Sequence, residues 1–168
     1  MPHALIAQYR FTRAEWLRGL TGLSEEDAAR RFGPMNSISW TVGHLAWHEQ
    51  SYWLERAQDI VLFPILNQLF AYGAPMSTPS LNEMLTIWQA VTPATDDFLD
   101  GLTTETLQGL LLRKGKPTRQ SIGSALHRIT YHYWYHIGEI QAIHQMLAHT
   151  DLPEYVGEIE IEAPYRPE

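Results

Sequence analysis

His132 and His136 stand four residues apart in YHYWYHIGE (131–139), inside a run that otherwise reads as a long, largely apolar helix. At 100° per residue the two side chains project within about 40° of each other, with Cβ atoms roughly 5–6 Å apart. That spacing suits two imidazoles converging on one ion at about 2.0–2.1 Å. A second pair with the same step, His44 and His48, lies in NSISWTVGHLAWHEQSYWL (36–54). Buried polar groups need partners, and a shared metal ion would give these histidines one. A haem held by one histidine from each of two facing helices is an alternative that counting leaves open, although it gives the His132/His136 pairing no role.

Other metal chemistries fail on the residues. A zincin needs HExxH on one helix, and His48-Glu49-Gln50-Ser51-Tyr52 ends in tyrosine. A ferritin-like di-iron centre needs two Glu-x-x-His motifs, and no glutamate in the chain has a histidine three residues later. With no cysteine anywhere, disulfides, thiolate metal sites and a protein-borne thiol nucleophile are all excluded. Any thiol chemistry must therefore use a thiol carried in on a small molecule.

Two further residues could serve such a site. His48, one turn beyond His44, is a candidate general base, or else a core histidine. Glu139, three residues after His136, is placed to orient a ligand imidazole through its other ring nitrogen, or else to form a surface salt bridge.

The elements that must carry these residues are helical. Leu5, Tyr9, Thr12, Trp16 and Leu20 step by four, three, four and four, predicting a helix over 3–20. Ser24-Glu25-Glu26-Asp27 reads as a capping box that opens a short helix ending at Gly33-Pro34. A second long helix is expected over 37–58, with the stripe Ser37, Trp40, His44, His48, Ser51 and Glu55. Ser80-Leu81-Asn82-Glu83 is another capping box and starts a third helix over 80–100, which Pro93 is expected to kink or split near 91–92. The fourth helix is expected over 121–149. Residues 150–168, with three prolines and a short alternating piece, read as an extended tail packed on the surface.

Four long helices and no strand series predict an all-α four-helix bundle in one domain spanning 1–168. The connector 59–79 is long enough to run back along the bundle and make helices two and three parallel, but pattern alone does not fix that topology. The apolar residues of the uncharged stretch 60–82 need cover, which marks it as a pocket lid or the surface of a homodimer.

Composition narrows the partners. Twelve Lys+Arg against nineteen Asp+Glu give a formal charge of −7, a field that repels a phosphate backbone and excludes nucleic acid. Three prolines interrupt the longest uncharged run, so no membrane helix is expected there. The opening MPHALIAQYR has no apolar signal core, which predicts a cytoplasmic protein acting on a small molecule.

The segments 36–54 and ALHRITYHYWYHIGEIQAIHQMLAH (125–149) together resemble the DinB-like (damage-inducible, YfiT-like) superfamily. The resemblance implies an up-down-down-up four-helix bundle with a three-histidine metal site. Carried over residue by residue, the ligands fall on His44, His132 and His136, and Gly138-Glu139 matches the segment that follows them. Many members have an acidic residue after the first histidine of the pair and a basic one after the second. Here those positions are Tyr133 and Ile137.

Three neutral imidazoles leave a divalent ion with open positions, the catalytic and not the structural arrangement. Imidazole donors suit zinc or nickel, and also iron. Such an ion can turn water into hydroxide or bind an incoming thiol as thiolate. The resemblance implies the second: a metal-dependent transferase or isomerase using a low-molecular-weight thiol such as bacillithiol or mycothiol. A metal-dependent hydrolase and a non-catalytic metal- or ligand-binding protein are the alternatives. The basic stretch RKGKPTR (113–119) could receive a cofactor's carboxylates; the plainer reading is a solvated connector.

Overall fold

The computed structural model describes residues 2–167 and is mostly helical, with one small hairpin. In chain order the elements are α1 (Ala4–Arg18), α2 (Glu25–Ala29), α3 (Ile38–Glu49), a π-helical segment (Gln50–Arg56), α4 (Pro64–Leu69), α5 (Leu81–Ala94), α6 (Asp96–Asp100), α7 (Thr104–Gln108), β1 (Leu110–Arg113), β2 (Lys116–Ser121), α8 (Ile122–Met146) and α9 (Ile159–Glu162). They form two compact units, one of Met1–Gly22, Leu99–Leu110 and Gln120–Glu168, the other of Leu23–Phe98 and Leu111–Arg119.

In the first unit α1 packs along α8. Ser121 opens α8 by accepting the Ser124 amide at 3.1 Å, which satisfies one of the orphan donors of a helix start. Ile6, Tyr9 and Trp16 of α1 and Ile129, Tyr133 and Ile140 of α8 are fully buried. Burying side chains of this size stabilises the fold by about 1.5–3 kcal/mol each. Tyr133 meets Tyr9 and Trp16 edge-on, at centroid distances of 6.2 and 6.1 Å. The two positions that depart from the family pattern, Tyr133 and Ile137, are thus core residues of this unit.

The second unit is built on α3 against α5. Ser37 caps α3 by accepting the Trp40 amide at 3.2 Å, and Ser80 caps α5 through the Glu83 amide at 3.3 Å. The Glu25 carboxylate also accepts the Leu81 and Asn82 amides, at 2.7 and 2.8 Å. Hydrogen bonds from the Asn82 and then the Leu81 amide hold its carboxyl below the ordinary range. Gly43 is required where it stands: a Cβ there would lie 2.6 Å from the Phe70 ring and 2.7 Å from the Met84 sulfur.

Four local expectations need correction. The second long helix is α-helical only to Glu49 and continues as a π-helix, in which Gln50 is fully buried. The long connector carries α4, with Pro64 in its first turn, where the missing N–H costs nothing. α5 runs unbroken through 91–92 and Pro93 to Ala94 and breaks at Thr95; with Pro93 one residue from the helix end, its missing N–H removes a single bond, to the Gln89 carbonyl, from the last turn. The basic connector is a hairpin, β1–β2. Its two-residue turn, Lys114-Gly115, has φ of 51° and 71°, the primed-turn geometry that matches strand twist. The tail's alternating EIEIE forms the turn of α9, with the Gln8 side-chain amide donating to the Ala163 carbonyl. Among the described residues no helix is long and apolar enough to cross a membrane.

Candidate metal centre

On α8 the i,i+4 spacing brings His132 Nε2 and His136 Nε2 to 3.0 Å, with the rings at 67°. The opposite nitrogen of His136, Nδ1, lies 2.6 Å from Glu139 Oε2. A carboxylate at neutral pH can only accept, so Nδ1 carries the hydrogen and Nε2 presents its lone pair. Glu139 also accepts from the Tyr135 hydroxyl, and that hydrogen bond, with the carboxylate's charge, raises the Tyr135 pKa. One carboxylate therefore fixes the tautomer and tilt of a buried imidazole, a common arrangement behind metal-ligating histidines.

On α3 the same logic recurs with a different acceptor. His44 Nδ1 lies 2.8 Å from the Phe70 carbonyl, which again can only accept, so Nε2 is left as the lone-pair nitrogen. Trp40 stacks flat on the His44 ring at 4.9 Å and 11°, and Trp47 flanks it at 5.5 Å. His48 sits one turn on, 5.7 Å from the His44 ring and 5.0 Å from Tyr52.

The Phe70 carbonyl is held in place from far along the chain. Buried Gln50 accepts the Leu62 and Phe63 amides through Oε1, at 3.0 and 2.8 Å, and donates Nε2 to the Phe63 carbonyl at 3.1 Å. These bonds fix the approach to α4. Trp47 Nε1 then donates to Asn67 Oδ1 at 2.8 Å, tying α4 to α3. Leu66 and Phe70 are buried, so the last turn of α4 is anchored by packing as well.

One nitrogen from each of His44, His132 and His136 lies within 4.8 Å of the other two, a grouping compatible with holding a metal ion. The donor set fits such an ion. Two nitrogens 3.0 Å apart, each about 2.05 Å from an ion, subtend about 94° at it, within reach of four- to six-coordinate geometries. His127 stands outside the group and stacks on Tyr131 at 5.9 Å. His3 caps α1 by accepting the Leu5 amide at 3.1 Å, and His144 bonds to His149 and Gly19.

Sequence reasoning named His44, His48, His132, His136 and Glu139 but missed Gln50 and the Phe70 carbonyl. A backbone acceptor leaves no mark in side-chain patterns. Gln50 had one: a long amide inside an apolar helical run, which burial obliges to find partners.

A histidine-rich helical protein with a three-imidazole group is thus the class that fold and site define. The family model of the DinB superfamily matches residues 5–140, and the chain belongs to that superfamily. Among curated proteins the sequence has no significant match.

Proposed function

We propose that this chain is a metal-dependent enzyme that joins a low-molecular-weight thiol to an electrophilic small molecule. Its frame in this reading is an up-down-down-up four-helix bundle, and its ligands are His44, His132 and His136. Zinc or nickel is the ion assigned, with iron suited to the same donors.

One observation carries the reading. His44 and His136 each have Nδ1–H engaged by an acceptor, the Phe70 carbonyl and the Glu139 carboxylate, so each offers Nε2 as a fixed lone pair. Such locking is costly to build by chance on two helices and is the usual way a ligand imidazole is held. An ion with open positions would supply Lewis acidity, lowering the pKa of a thiol or a water. In the thiol reading the cysteine-free chain leaves the sulfur to the substrate side. His48 is assigned to take the S–H proton on a ring nitrogen. The sulfur lone pair then forms the new C–S bond, and the leaving group departs with its bonding electrons.

The test is elemental analysis of the purified protein beside a conjugation screen. Bacillithiol, mycothiol, glutathione and coenzyme A are each offered with several electrophiles, using metal-loaded protein and His136→Ala. Metal-dependent conjugation that varies with the thiol supports the proposal. Turnover of esters or amides with thiol absent, and no conjugation, would replace it with a hydrolase.

A further inference from the structure

The second unit holds a polar cavity of about 260 Å³ that the metal centre does not use. Trp47 and Ser51 form one side, Asn67 of α4 another, and Arg113 and Lys114 of the β1–β2 turn reach in from the hairpin. That volume is below the range of whole drug-sized ligands and suits one end of a molecule.

Three cations border it, Arg56, Arg113 and Lys114, against two carboxylates, Glu55 and Asp59. Glu55 is engaged by the Asn67 side-chain amide at 3.2 Å, and Arg56 stacks over the Tyr52 ring at 4.2 Å. Among the described residues Arg113 and Lys114 form no ion pair, despite a chain with seven more acidic than basic residues. Lys114 also occupies the left-handed region, at φ 51°. A lysine there costs about 1–2 kcal/mol relative to an ordinary conformation, a position glycine or asparagine would fill without that strain. The chain thus keeps a cation at a strained turn beside a cavity. Trp47 joins the two sites, since its indole lines the cavity and its ring flanks His44 at 5.5 Å.

We propose that this cavity is an anion subsite, taking the carboxylate or phosphate of a small molecule whose reacting end lies at His44. Arg113 supplies a planar fork for two oxyanion oxygens, and Lys114 a point charge. The link to the reacting end rests on the metal-enzyme reading; the anion site itself does not.

The experiment therefore uses chelator-treated, metal-free protein. Malate and inorganic phosphate are titrated separately while the indole N–H resonance of Trp47, assigned with Trp47→Phe, is followed by NMR. A saturable shift is expected with at least one anion, and none with the uncharged diamide of malate. Arg113→Gln with Lys114→Gln should weaken binding at least about tenfold, the loss of one charge-assisted hydrogen bond. The single Lys114→Gln, at the exposed tip, should weaken it less and keep the wild-type melting point. Tighter malate identifies a carboxylate ligand, and tighter phosphate a phosphorylated one. No shift with either anion, or equal affinity in the double variant, overturns the proposal. Metal binding that persists in that case leaves the enzyme reading standing, and anion binding without metal affinity does the reverse.

Discussion

Two histidine pairs belong to α8 and its C-terminal ending, both with ring nitrogens about a hydrogen bond apart, yet their hydrogen bonds run differently. His132 and His136 meet through Nε2 at 3.0 Å; His144 and His149 meet through Nδ1 at 2.8 Å. In the first pair the far nitrogen of His136 is locked by the side chain of Glu139, which leaves its Nε2 as a lone pair. In the second, His144 Nε2 donates to the Gly19 carbonyl at 3.0 Å, so its Nδ1 accepts from His149 Nδ1–H. That accounts for both nitrogens of His144 with hydrogen bonds inside the protein. Proximity of imidazoles is common to both pairs; the hydrogen-bond direction separates a pair that keeps a ring lone pair available from a staple. The family match to residues 5–140 includes the first pair and stops short of the second.

The largest difference should appear on replacing each pair. His132→Ala or His136→Ala should remove most bound metal, whereas His144→Ala and His149→Ala should keep the wild-type metal content by elemental analysis. Melting with and without chelator should divide the same way. An ion present at a thousand times its dissociation constant stabilises the fold by about 4 kcal/mol, on the order of 10 °C for a chain of this size. Chelation should lower the wild-type and His149→Ala melting points by that order and leave His136→Ala unmoved. His144→Ala instead strips a buried partner from the Gly19 carbonyl, at about 1–3 kcal/mol, or roughly 5 °C with metal present. Loss of metal on replacing His144 would erase the distinction.

A finer cut is Glu139→Gln. The amide can still reach His136 Nδ1 but no longer with a full negative charge. Metal affinity should fall about 10–100-fold, as for other outer partners of ligand histidines. The melting point of the chelated protein should stay close to wild type, because the Glu139 side chain is partly exposed. Unchanged affinity would reduce the 2.6 Å contact to a surface ion pair.

How far these arrangements could be read from sequence follows from how they are made. The first pair depends on helical periodicity alone, so the spacing of His132, His136 and Glu139 declared it. The second depends on how α8 stops. Ala148 adopts φ 59°, its amide bonds to the Gln145 carbonyl at 3.1 Å, and the His149 amide bonds to the His144 carbonyl at 3.1 Å. This is a Schellman ending, which folds His149 back onto His144. Its usual mark is glycine at the left-handed residue, and alanine there hides it. The long helices were equally legible from their stripes and serine caps. The π-helical segment was not, since Gln50–Arg56 has the composition of any helix and its backbone depends on what Gln50 holds. The β1–β2 hairpin is hidden because lysine stands at its first turn position, where asparagine, aspartate or glycine is the usual mark of such a turn.

The smallest effect belongs to the tail beside the second pair, and it tests whether that region is purely a staple. Tyr155 places its hydroxyl against Gly19, where an added Cβ would collide with it. The hydroxyl oxygen is enclosed, with no hydrogen-bond partner among the described residues, although the ring is only partly buried. Arg18, its guanidinium carbon 5.6 Å from the ring centroid, donates to the Glu154 carbonyl at 2.7 Å and so keeps the tail close. Burial raises the Tyr155 pKa, with Arg18 working against the shift and Glu15 adding to it. A group whose folded-state pKa is raised stabilises the fold fully below its unfolded value, near pH 10, and the contribution is lost as pH climbs through the folded value. Wild-type stability should therefore fall more steeply than that of Tyr155→Phe above pH 10, as read by urea unfolding at stepped pH. At pH 7 the phenylalanine variant should melt at or slightly above wild type, because it removes a buried hydroxyl that has no protein partner. Its metal content should not change. Marked destabilisation at neutral pH would mean that the hydroxyl is held after all. Parallel alkaline limbs would show that another group titrates there.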